Sequence, residues 1–238
     1  MSSSFHPTPR TLMGPGPSDV HPRVLGAMAK ATIGHLDPEF IALMEDIKDL
    51  LRYSFRTENK LTLPLSAPGS AAMEASFANL VEAGDKVIVC INGVFGMRMA
   101  ENVRRMNGEL VTVEDDWGTQ VDPEKVEAAL KAHPDAKILA FVHAETSTGV
   151  RSDAKTLCAL AEQYECLSIV DSVTGLAGIE LEVDAWRADV TYSGTQKCLS
   201  APPGISLITF SDKAAAQVKA RNTPVQSWFL DLSLLMAY

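Results

Sequence analysis

Two short segments, KVIVCI at 86–91 and KILAFV at 137–142, are apolar at nearly every position rather than at alternate ones. A strand with one wet face alternates, whereas a continuous apolar run needs cover on both faces, the condition of a parallel sheet lying between helices. Further runs rich in Val, Ile and Leu stand at 61–65, 109–113, 167–171, 189–193 and 205–210. Helical patterns fill 69–82, 95–107, 122–133 and 153–165 between them, with Asp122 and Asp153 at N-cap positions and Pro123 at the first helical position. The alternation predicts an α/β fold of three layers, helix, sheet and helix, around a mostly parallel seven-stranded sheet. No helical pattern separates 189–193 from 205–210, so an antiparallel return is expected there.

Upstream, residues 1–22 are rich in Pro, Gly and Ser, and the GPGP at 14–17 cannot continue a helix or a central strand. This segment reads as an arm. From 38 to 55 the residues Phe40, Leu43, Met44, Ile47, Leu50 and Leu51 recur at three- and four-residue steps, predicting a helix with one face turned inward. The 238 residues equal about one and a half average domains. A net charge of −9 argues against nucleic acid or an anionic membrane as a partner, so an anionic ligand must be held locally. Cys90, Cys158, Cys166 and Cys198 are widely spaced and complete no zinc pattern; reduced thiols and no metal are expected. The N-terminus lacks a signal-peptide pattern and no apolar run reaches the ~20 residues that span a bilayer, so a cytoplasmic protein is expected.

In an open parallel sheet the ligand site lies beyond the carboxyl ends of the strands. The segment Pro68-Gly69-Ser70, between a strand and a helix start, is either a phosphate cradle of unpaired N–H groups or an ordinary turn. Asp171 ends LSIVD and needs a buried partner; it either caps the next segment or meets a cation. Lys197 is either a solvated surface charge or, in a tight loop of small and polar residues, a desolvated amine nucleophile with a lowered pKa. Phe95, between Gly93 and Gly96, either packs in the core or stacks on a flat ligand to which the glycines admit the backbone. His143 and Glu145 have the residue types of an acid–base pair, though both directly follow a strand.

Taken in order, GPGP at 14–17, GHLDPEF at 34–40, PGSAAMEA at 68–75, NGVFG at 92–96, HAETSTG at 143–149, VDSV at 170–173 and SGTQKCLSAPPG at 193–204 resemble the class V aminotransferases. This is the branch of fold-type I pyridoxal-phosphate enzymes that includes alanine–glyoxylate and serine–glyoxylate aminotransferases. The resemblance implies that Lys197 forms a Schiff base with pyridoxal phosphate and then shuttles a proton, and that Asp171 pairs with the ring nitrogen. Val173 and Phe95 would cover the two ring faces, Thr146 would approach the ring oxygen, and Gly69, Ser70 and Gln196 would bind the phosphate. Pro68 departs from the family, which often has a hydroxyl residue there, and Phe95 stands where animal relatives often have Trp.

The implied activity is transfer of an amino group from a small amino acid, alanine or serine, to glyoxylate or another small 2-oxo acid, in a homodimer. Ureidoglycine–glyoxylate and aminoethylphosphonate–pyruvate aminotransferases share most of these motifs. Family members continue into a small C-terminal domain carrying the arginine that clamps the substrate carboxylate, and no position here matches that arginine. The expected organisation is therefore an arm at 1–22 and a cofactor-binding large domain at 23–238, with the small domain lacking. A fragment that binds cofactor without turning over substrate is the remaining alternative.

Overall fold

Proline sets the entry into both N-terminal helices. In the computed structural model, which describes residues 4–236, the chain carries no helix or strand from 4 to 21 and then forms α1 (Pro22–Met28) and α2 (Pro38–Phe55). Each helix has Pro in its first turn, where the missing N–H costs nothing, and Asp37 caps α2 by accepting from the Glu39 N–H at 2.8 Å. There follow β1 (Leu61–Leu65), α3 (Gly69–Leu80), β2 (Lys86–Ile91), α4 (Val94–Arg105), β3 (Glu109–Glu114), α5 (Pro123–Ala132) and β4 (Ile138–Val142). A short hairpin, β5 (Ala144–Glu145) and β6 (Val150–Arg151), precedes α6 (Ala154–Gln163), β7 (Leu167–Asp171), α7 (Val183–Trp186) and β8 (Val190–Gly194). The last elements are β9 (Ser206–Phe210), α8 (Asp212–Lys219) and α9 (Leu232–Leu235). Each strand of the main sheet lies within a residue of its sequence-derived bounds, and Asp122 and Asp153 cap α5 and α6 as expected.

The sheet has seven strands in the order β1-β9-β8-β7-β4-β2-β3. The five from β8 to β3 are parallel, and β9 is antiparallel to β8, as the missing helical pattern implied, and to β1. Pro64 suits the edge position of β1, since a residue without an N–H leaves a gap in the ladder of an inner strand.

Continuous burial along the central strands follows from the two apolar layers they separate. In β4, Ile138, Ala140 and Val142 join the core under α3 and α4, while Leu139 and Phe141 join the core under α5 and α6. Val87 and Val89 against Ile88 and Cys90 repeat the division in β2. This is the expected three-layer arrangement.

The inward face expected of α2 is present but narrower than its stripe. Phe40, Met44 and Ile47 are half-buried, Ile47 packs against the core and Leu51 and Phe55 are buried, while Leu43 and Leu50 are exposed. The helix lies against β1 and β9 on this side. Cys90, Cys158 and Cys166 are buried free thiols and Cys198 is an exposed one. The last described element is the short α9, and residues 237 and 238 lie outside those described. Among the described residues no helix is long and apolar enough to cross a membrane, and no group of His, Cys, Asp or Glu is placed to hold a metal ion.

Phe141 is fully buried in the central strand β4, on the α5/α6 side. Phe141→Ala should cost about 3–5 kcal/mol through lost burial and a residual cavity, read as a lower urea midpoint with an unchanged slope.

Candidate active site

The parallel strands end on one side of the sheet, and β1 ends there too because it shares the antiparallel neighbour β9 with β8. The loops after β1, β2, β4, β7 and β8 therefore converge, and they carry every residue singled out at strand ends.

Asp171, the last residue of β7, is 2% exposed. Its Oδ1 accepts from the Val173 N–H at 2.9 Å and its Oδ2 from the Tyr192 hydroxyl at 3.0 Å. The partners are thus neutral donors and not the cation that the sequence left open. Burial pushes the carboxyl up to about 6, the Val173 and Tyr192 hydrogen bonds pull it down, the Glu145 charge raises it and Lys197 lowers it.

Lys197 sits in a tight loop: the Ser200 N–H donates to its carbonyl at 2.9 Å and the Ala201 N–H to the Thr195 carbonyl at 3.0 Å. The side chain is half-buried and its Nζ donates to the Pro15 carbonyl at 2.8 Å. Burial lowers its pKa, with Asp171 opposing. The arm roofs this lysine. Gly16 has φ +122°, and a Cβ there would lie 2.6 Å from the Lys197 Cδ, so only glycine fits. Gly14, Pro15, Gly16 and Ser18 of the arm and the facing Thr174, Cys198 and Ser200 border a cleft of about 260 Å3 over the lysine.

Gly69 opens α3, where the helical pattern begins, and no side chain caps that end. The backbones of Gly69 and Gly194 face each other: a Cβ on Gly194 would lie 3.4 Å from the Gly69 Cα and 2.8 Å from the Gln196 Oε1. That Oε1 is buried and has no hydrogen-bond partner. Val173 flanks Gly69, and the Ser70 side chain is exposed at the same helix end. Gly69, Ser70, Val173 and Gln196 are therefore brought together around a helix N-terminus able to hold an anion.

Phe95 lies half-buried in the first turn of α4, with the Arg98 guanidinium 4.7 Å from its ring centroid. The flanking glycines serve packing and not ligand approach: a Cβ on Gly93 would meet the Glu145 side chain at 2.3 Å, and one on Gly96 the Cys90 carbonyl at 2.7 Å. Glu145 is no acid–base partner of His143. Its buried carboxylate accepts from the Phe95 N–H at 3.0 Å, the Ser147 N–H at 3.0 Å and the Ser147 hydroxyl at 2.7 Å. Ser147 Oγ in turn accepts from the Val94 N–H at 3.0 Å, so this clasp ties the start of α4 to the loop bearing Thr146. Thr146 shares a short hydrogen bond with the Thr174 hydroxyl, one residue beyond Val173. His143 is buried edge-on to Trp186, neither nitrogen has a partner, and burial lowers its pKa to about 4, leaving it neutral. Tyr192 and the Glu145 clasp escaped the sequence reading. Their signals were present, a Tyr within the 189–193 run and a Glu three residues after β4, but what they touch depends on strand order.

This edge thus offers a weakened amine, a buried carboxylate, an open helix N-terminus and aromatic and aliphatic faces, a set suited to a planar anionic ligand bearing a reactive carbonyl. The aminotransferase class-V family model matches residues 13–224, and the chain belongs to that family. It is 42% identical over 226 residues to the alanine–glyoxylate aminotransferase of Oryctolagus cuniculus, covering 95% of this chain and 57% of that protein. The crystal structure of alanine–glyoxylate aminotransferase from Nostoc sp. superposes with a TM-score of 0.97 at 43% identity, over 100% of this chain and 63% of that one. For ureidoglycine–glyoxylate aminotransferase from Bacillus subtilis the TM-score is also 0.97, at 37% identity, over 99% and 61%. The chain therefore spans about three-fifths of the length of these relatives.

Two substitutions test the electrostatics. The native Asp171 carboxyl takes up its proton near pH 6 and the unfolded one near its ordinary 3.8, so the native state binds more protons between these values and loses stability as pH rises through them. By about pH 7 the full penalty, on the order of 3 kcal/mol, is in place. Asp171→Asn should therefore raise the melting temperature at about pH 7 and lose that advantage below about pH 4, followed by calorimetry. Glu145→Gln sets an amide NH2 against a backbone N–H and should destabilise by about 1–3 kcal/mol in urea unfolding.

Proposed function

We propose that the chain is the cofactor-binding part of a pyridoxal-phosphate-dependent aminotransferase, an arm at 1–22 followed by a large domain at 23–238. Its reaction is transfer of an amino group from a small amino acid such as alanine or serine to glyoxylate or another small 2-oxo acid. The observation that carries this reading is the placement of a buried carboxylate, Asp171, at the end of β7 and a half-buried amine, Lys197, in the loop after its neighbour β8, at one sheet edge. Pyridoxal phosphate supplies an aldehyde that condenses with amines and a ring that accepts electrons. The residues fit it: the uncapped start of α3 offers its unpaired N–H groups to a phosphate, and Gly69 and Gly194 keep that approach clear of side chains.

In this reading Asp171 accepts a hydrogen bond from the protonated ring nitrogen. Val173 and Phe95 pack on the ring faces, Thr146 meets the ring oxygen, and Gly69, Ser70 and Gln196 hold the phosphate. Lys197 would be the residue that attaches the cofactor, and its amine would hold and return the proton of the substrate α-carbon. Its lowered pKa favours the neutral amine that both tasks need. The small residues of the arm over Lys197 favour a compact substrate.

A homodimer is part of the proposal, supported by the exposed apolar side chains Leu25, Met28, Leu36, Ile41, Leu43 and Leu50 along α1, α2 and their connection. The free thiols fit a reducing compartment such as the cytoplasm. Ureidoglycine as amino donor is a second reading, favoured by the equal superposition on the Bacillus subtilis aminotransferase.

Adding pyridoxal phosphate to the chain should produce a visible absorbance band and, after borohydride reduction, a mass increase localised to Lys197. Lys197→Ala should abolish both. Alanine, serine and ureidoglycine, offered in turn with glyoxylate, should separate the donor readings; cofactor binding without turnover for every donor would mean that these residues bind the cofactor but do not suffice for transfer.

A further inference from the structure

Tyr192 stands opposite Asp171 in the β7/β8 pairing, and the parallel register puts both side chains on the α3/α4 side of the sheet. Tyr192 is among the largest fully buried side chains, and its hydroxyl donates to the Asp171 Oδ2 at 3.0 Å. We infer that Tyr192 is a positioning residue whose phenol fixes the orientation and charge of Asp171 toward the ring nitrogen of the cofactor. This rests on the cofactor reading above.

Val173 holds one carboxylate oxygen through its N–H at 2.9 Å and Tyr192 holds the other, so rotation of the carboxylate is blocked from both ends. The lone pairs left over define where a third donor approaches. Tyr192 serves as a permanent donor, because burial and the neighbouring Asp171 raise its own ionisation well above its ordinary range. The charged and titratable groups facing Asp171 are few. Glu145, after β4, disfavours its ionised form, Lys197, after β8, favours it, and His143, whose backbone N–H donates to the Asp171 carbonyl at 2.9 Å, stays neutral. Of the side chains on β7 and its neighbours, only Tyr192 gives the carboxylate a hydrogen bond. Without the phenol, Oδ2 would face apolar surroundings and the carboxyl would keep its proton to higher pH, leaving a neutral acid that cannot pair with a cationic ring.

Tyr192→Phe removes one oxygen and preserves the ring that packs in the core. In the cofactor-free chain, the Asp171 carboxyl carbon followed by NMR should titrate near pH 6 in the parent and at higher pH in the variant. With ligand, the variant should bind pyridoxal phosphate about tenfold more weakly, the worth of a hydrogen bond to a charged group, and bind the 1-deaza analogue, which has CH in place of the ring nitrogen, as the parent does. In an Asp171→Asn background the same change should have no further effect on pyridoxal phosphate affinity. An unmoved Asp171 titration, or equal weakening toward both ligands, overturns the inference and leaves Tyr192 a packing residue. A parent chain that binds neither ligand overturns the cofactor reading instead, and the titration alone then decides what Tyr192 does to Asp171.

Discussion

Asp171 is held at the end of β7 by a backbone N–H and a phenol, and its nearest cation, Lys197, is itself weakened by burial. A carboxylate so placed costs folding free energy, because neutral donors replace only part of the hydration that burial removes. The sheet imposes this. A parallel strand covered on both faces brings its last residue to the rim of a core that water does not reach. The chain therefore carries a charge where the fold least tolerates it, and under the proposed function a cationic ligand ring would offset that cost.

The same rim resolves the conflict between a net charge of −9 and an anionic ligand. Long-range attraction is unfavourable, so binding depends on local backbone dipoles, which the open start of α3 provides at short range. Pro68 supplies no donor there, but it leads the chain into the helix with Gly69 pressed against Gly194, and the absence of side chains at that meeting gives an anion access to the N–H groups. The clasp of Glu145 on the first turn of α4 uses the same physics within the protein: a buried carboxylate satisfied by helix N–H groups holds Phe95 and Thr146 in fixed relation.

Most of the architecture was legible because burial on both faces leaves a direct trace in composition: 86–91 and 137–142 can be little else than inner strands. Caps at Asp122 and Asp153 were legible because their hydrogen bonds are local. The stripe on α2 was legible only in part, since Leu43 and Leu50 share its spacing yet stay exposed. Periodicity reports that a face avoids water, and it is silent on whether the cover comes from the chain's own core or from another molecule. Gly93 and Gly96 misled, since a glycine marks close approach without saying to what, and here Glu145 and the Cys90 carbonyl fill the space.

By itself the sequence determined the seven strands of the main sheet and the helices α2 to α6, and it pointed to Lys197, Asp171, Phe95, Thr146, Val173, Gly69, Ser70 and Gln196, which the fold gathers at one sheet edge. Only the tertiary structure decided that Asp171 is partnered by Tyr192 and not by a cation, that Pro15 and Gly16 roof Lys197, and that Glu145 serves α4 rather than His143. The division has one physical cause. Helix caps, strand patterns and loop chemistry arise between residues a few positions apart, whereas these three contacts join segments separated by 21, 182 and 50 positions. Such contacts exist only once strand order and the path of the arm are set.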